Sequence, residues 1–112
     1  MWLSKQVDSL LSLGQKDIIL DPGFGFGKTL EENYELMRQL TAFHTFGLPL
    51  LVGVSRKSMI YRLLDCQPED ALNGTTVLHT MALERGAQIL RVHDVRACRE
   101  AIKIVAATNR KP

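Results

Sequence analysis

Apolar positions along the chain alternate between two rhythms, one helical and one extended. Over residues 2–13, Leu3, Val7, Leu10 and Leu11 fall on one helical face, and Gly14 is a natural stop. Three shorter runs, about 17–21, 49–54 and 88–93, are dense in Ile, Leu and Val and read as strands. The middle run is continuous enough to suggest burial on both faces. A helical pattern follows each strand. Thr29-Leu30-Glu31-Glu32 is a capping box, in which the Thr hydroxyl and the Glu three residues on satisfy free amides at a helix start. It predicts a helix to Phe46 that buries Leu36, Leu40 and Phe43 and ends at Gly47. A short helix over 57–64 follows the second strand, and Pro68 opens a longer one to Arg85, closed by Gly86. Asp94 can cap a last helix over 95–108, and the polar tail from Asn109 onward frays.

Strands alternating with helices of this length imply an α/β fold with a parallel sheet and right-handed crossovers. With 112 residues and no linker or composition break, the chain reads as one folding unit, either a small domain or a piece of a larger one. Composition narrows the function classes. A net charge of +2 with scattered Lys and Arg gives no nucleic-acid surface. No apolar segment approaches the roughly 18 residues needed to cross a bilayer. Met1-Trp2-Leu3-Ser4-Lys5 lacks the layout of a signal peptide. Cys66 and Cys98 have no neighbouring ligand at metal spacing and read as reduced thiols of a cytoplasmic protein. His44, His79, Trp2, Met59 and Met81 read as helix-surface or packing residues.

The chemistry gathers at the three strand ends, where α/β scaffolds place their sites. The first runs into Asp21-Pro22-Gly23-Phe24-Gly25-Phe26-Gly27-Lys28. Asp21 is either a turn cap or a carboxylate that accepts two parallel N–H bonds from a heterocycle. The glycines admit a flat ligand, with Phe24 and Phe26 as apolar faces beside it. The second strand runs into Gly53-Val54-Ser55-Arg56-Lys57-Ser58, two cations and two hydroxyls at a helix start, an anion site or a solvated basic turn. The third carries Arg91-Val92-His93-Asp94, with Arg91 and His93 on one face of the strand. Such a pair, if buried, needs an anionic ligand or a carboxylate partner.

These three blocks, in this order and spacing, resemble the dihydropteroate synthase family of pterin-binding barrels, and the resemblance spans essentially the whole chain. It implies a (β/α)8 barrel and the condensation of 4-aminobenzoate with 6-hydroxymethyl-7,8-dihydropterin diphosphate. By resemblance, Asp21, Gly25, Gly53, Lys57 and Arg91 bind the pterin, and Phe26 and Ser58 meet the 4-aminobenzoate. Arg91 and His93 clamp the diphosphate, and Arg91, His93 and Lys57 carry the catalysis. No protein nucleophile is required.

The family's barrel needs about 250 residues. The three strands here correspond to its sixth, seventh and eighth, so a truncation is expected, with little activity in the chain alone. Magnesium is implied by the family, but the Asn that helps bind it has no counterpart here. The family is usually homodimeric, and open sheet edges predict self-association of this chain. Two other readings stand beside this one: a barrel that transfers a methyl group from methyltetrahydrofolate, and an inactive excised fragment.

Overall fold

The computed structural model describes residues 18–25 and 27–109. The helix expected over 2–13, Phe26 and the tail beyond Asn109 lie outside the described residues. Helix α1 spans Leu30–Arg38 and a 3-10 helix spans Leu40–Phe46. Strand β1 is Leu51–Val52, and helix α2 is Ser58–Leu64. A 3-10 turn, Pro68–Asp70, leads into helix α3, Leu72–Glu84. Strand β2 is Ile89–Leu90, and helix α4 is Val95–Thr108.

β1 and β2 pair in parallel, Leu51 opposite Ile89 and Val52 opposite Leu90. Leu20 adds a third extended segment through a parallel bridge to Leu50, with Leu20 N–H on Pro49 O at 2.9 Å and Leu51 N–H on Leu20 O at 2.7 Å. The spatial order is therefore the Leu20 segment, β1, β2. All three strands are shorter than the apolar runs suggest. Pro49 has no N–H to give to a ladder. At the far end the ladder's last rung is Arg91 N–H on Val52 O, and His93 N–H turns instead to the Ser55 hydroxyl at 3.2 Å. A side chain has taken the place of a backbone partner.

The capping box forms as expected: Thr29 Oγ1 accepts from Glu32 N–H, and Glu32 Oε1 accepts from Thr29 N–H at 2.8 Å. The α-helix does not reach Phe46, however. β-branched Thr41 and Thr45 favour the α form weakly, while the three-residue spacing of Leu40, Phe43 and Phe46 suits a 3-10 turn. Phe43 and Phe46 sit one such turn apart, ring centroids 6.4 Å from each other. Leu40 and Phe43 are buried as expected, but Leu36 is only half-buried, and Asn33 and Met37 occupy the inward face of α1. The long helix expected from Pro68 is likewise split, since α3 begins only at Leu72. Asp94 stands at the start of α4 without capping it, because its carboxylate is held by Arg56.

Leu20, Leu50, Val52 and Val54 from the extended segments form the centre of the core, covered by Met37, Leu40, Met59, Ile60, Leu78 and Ala82 from the helices. Tyr34 donates its hydroxyl to Met59 O at 2.7 Å, tying α1 to α2. No helix among the described residues is long and apolar enough to cross a membrane.

Candidate functional site

The loop after Leu20 is shaped from both ends. Gly23 N–H donates to Asp21 Oδ1 at 2.9 Å, and Gly25 N–H donates to Asn33 Oδ1 at 2.8 Å. Asn33 is buried in α1 and anchors its own amide group on Thr29 O at 3.1 Å. Lys28 Nζ closes the loop on Gly23 O at 2.8 Å. The turn reading of Asp21 is thus realised on one oxygen, and its side chain remains exposed.

Lys57 reaches across from the second loop and donates to Phe24 O at 2.6 Å. Two glycines make room for it. A Cβ on Gly25 would lie 3.3 Å from Lys57 Cδ, and φ at Gly25 is +91°, a region that L side chains rarely adopt. A Cβ on Gly53 would lie 3.9 Å from Lys57 Nζ and 3.6 Å from Arg91 Cβ. Burial lowers the Lys57 pKa from its usual 10.5; the Asp21 carboxylate opposes that shift, and Arg91 and Lys28 add to it. Asp21, Gly25, Gly53, Lys57 and Arg91, drawn from three separate strand ends, are therefore brought to one place.

The other expected site residues stand around this cluster. Ser58 is the first residue of α2, directly after Lys57, and no side chain caps that helix. His93 lies two residues beyond Arg91, both exposed past the end of β2. Neither side chain is buried, which corrects the expectation of a buried pair. Phe24 is also corrected: it is buried in the core, where only its carbonyl serves the site. Phe26 lies outside the described residues. His79 is a core residue as one reading held, but its Nε2 has no hydrogen-bond partner among the described residues.

One contributor and one pairing escaped the sequence reading. Asn33 shapes the first loop, and its signal was a polar residue on the inward stripe of an amphipathic helix. The Arg56 guanidinium forms a two-pronged pair with Asp94, at 2.9 and 3.0 Å. That pair holds the Asp94 carboxyl below its usual range.

A glycine-lined strand end carrying an aspartate, with a lysine and an arginine converging on it, suits a flat heterocycle with a donor edge and an anionic arm. The family described as pterin binding enzyme matches residues 1–93. The chain belongs to that family. This pterin binding family member is 50% identical over 96 residues to the dihydropteroate synthase of Escherichia coli strain K12, covering 86% of this chain and 34% of that protein. The crystal structure of the Yersinia pestis dihydropteroate synthase superposes with a TM-score of 0.90 at 44% identity, over 96% of this chain and 45% of that one. The Thermus thermophilus enzyme, solved in complex with 6HMPPP, gives 0.87 at 44% identity, over 94% of this chain and 42% of that one. The chain thus spans about a third of the length of the E. coli relative, and its fold is part of a (β/α)8 barrel.

Proposed function

We propose that the protein carrying this sequence is a dihydropteroate synthase, a transferase of folate biosynthesis. It joins 4-aminobenzoate to 6-hydroxymethyl-7,8-dihydropterin diphosphate and releases diphosphate. The observation that carries this reading is the meeting of Asp21, Lys57 and Arg91 around Gly25 and Gly53. The Thermus thermophilus relative, at 44% identity, was solved with 6HMPPP, which supports the same substrate class here.

In this reading the Asp21 carboxylate accepts the amino and ring N–H edge of the pterin, two parallel donors on two oxygens. Lys57 donates to the pterin carbonyl and ring nitrogen. Its ammonium carries three donors in all, and Phe24 O holds one of them and so orients the group. Gly25 and Gly53 let the backbone lie against the ring, while the Arg91 guanidinium covers its face. The C–O bond to the diphosphate breaks, its electron pair leaving with the diphosphate, and the pterin methylene becomes a resonance-stabilised cation. The 4-aminobenzoate nitrogen attacks that carbon and then loses a proton. Arg91 and His93 stabilise the charge that grows on the leaving group. Ser58, at an uncapped helix start, meets the 4-aminobenzoate carboxylate, and Phe26 borders its ring.

The family implies magnesium, but no group of three or more His, Cys, Asp or Glu among the described residues could hold a metal ion. The described residues do not fit that ion, and no step is routed through it. A cytoplasmic setting with Cys66 and Cys98 reduced belongs to the same reading; both thiols are free in the structure. So does self-association, as expected of a usually homodimeric family.

Calorimetry with 6-hydroxymethylpterin diphosphate is the test. The intact protein should bind, and Asp21→Ala should lose roughly 2–4 kcal/mol, the cost of leaving buried ligand donors unpaired. Equal heats from the two proteins would end the assignment.

A further inference from the structure

Arg56 contacts none of the glycines or charged groups described at the pterin site, yet it is the most heavily bonded side chain beside it. Four of its five N–H bonds are in use. Nε and Nη2 grip the Asp94 carboxylate at 2.9 and 3.0 Å, and Nη1 donates to Pro68 O at 3.1 Å and to Glu69 O at 2.9 Å. Its backbone N–H donates to the Thr75 hydroxyl at 3.0 Å, and its φ of +53° is unusual for a residue with a side chain. A backbone held in that region at a strand end is a place where surrounding bonds over-determine the chain.

The partners of these bonds matter more than their number. The second and third loops are stitched at consecutive residues: Ser55 Oγ takes His93 N–H at 3.2 Å, and Arg56 takes Asp94. Lys57 is the next residue along one loop, and His93 precedes Asp94 on the other. The pair is also three-quarters shielded, its side chains 26% and 27% exposed, so its geometry is better held than that of a surface ion pair. A lysine could not reproduce it, because an ammonium lacks the planar fork that meets both carboxylate oxygens while reaching two carbonyls.

We propose that Arg56 is a positioning residue for the synthase reaction, its clasp on Asp94 fixing the separation between Lys57 on one loop and His93 on the next. The proposal rests on the synthase reading given above. It treats the clasp as the device that presents the pterin-holding lysine and the diphosphate-holding histidine together. Small displacements of either group are costly in rate, since misplacement by about 1 Å loses about 10²-fold.

The test is Arg56→Lys in the intact protein, which keeps the charge and removes the fork. Expected are a kcat lower by about 10- to 100-fold with KM for the pterin diphosphate moved much less, and shifted His93 ring resonances in the ligand-free protein. Exchanging the partners, Arg56→Asp with Asp94→Arg, should recover part of the lost kcat. If Arg56→Lys does not fold, Asp94→Asn, which keeps the acceptor shape at one oxygen, decides by the same readouts. Wild-type kcat and His93 resonances in the folded variant would overturn the proposal, as would a loss of stability with unchanged kcat. The spectra need no substrate. A wild-type protein that binds no pterin diphosphate therefore ends the synthase reading, while His93 still judges whether Arg56 sets its position.

Discussion

The two ends of the parallel strands differ in what their side chains are free to do. At the carboxyl ends, three loops bring Asp21, Lys57 and Arg91 together around glycines. At the amino ends the polar groups are used up on the backbone. His44 Nε2 lies 2.9 Å from Arg85 O at the close of α3, and Gln88 Oε1 accepts Leu50 N–H at 3.3 Å. One end is arranged around space for a ligand and the other around its own chain, the division expected of a barrel whose loops carry chemistry on one face only.

The sharpest way to break that division is Arg91→Ala. In the intact protein kcat should fall about 10²- to 10³-fold, the usual loss for one donor aimed at developing charge, while the denaturation midpoint barely moves. Coupled loss of stability would mean that Arg91 belongs to the scaffold. The opposite outcome is expected of Leu50→Ala, where the side chain is only 1% exposed. Urea unfolding should show a loss of about 2–5 kcal/mol, with the pterin affinity of the remaining folded protein preserved.

Gly86→Ala sharpens the contrast at the amino end. Its φ is +96°, and the added methyl would run into the His44 ring, so the ring must leave Arg85 O. A loss of about 1–2 kcal/mol in thermal unfolding, without any change in ligand binding, is the expected result. The smallest effect concerns His79, which is buried in the core with the Asp94 carboxylate near enough to oppose part of the effect of burial. Burial lowers its pKa from 6.5, so below pH 6.5 the unfolded chain holds more protons than the folded one. Stability should therefore decline as the pH falls through 6.5, and His79→Gln should flatten that part of the curve. A variant with an unaltered pH profile would show that another group governs it.

Much of the site could be read from the sequence because its pieces are local. Asp21 with its glycines, Lys57 at a helix start and Arg91 at a strand end each announce themselves within a few residues. The Arg56–Asp94 clasp did not, since an aspartate before a helix looks like a cap until a distant guanidinium is seen to claim it. Phe24 misled for a similar reason: a Phe between glycines reads as a ligand wall, and only its burial in the assembled core reveals an inward anchor. The helix breaks at Gln39 and Ala71 were hidden because 3-10 and α turns share the same apolar spacing over so few residues.

Asn33 has a consequence for evolution as well as for binding. Because the amide that fixes Gly25 comes from helix α1, the curve of the first loop is stored outside the loop. Residues along its rim can be exchanged to tune which molecules are accepted, while the frame that a planar ring must enter stays set before any ligand arrives. Less ordering then remains to be done at the moment of capture.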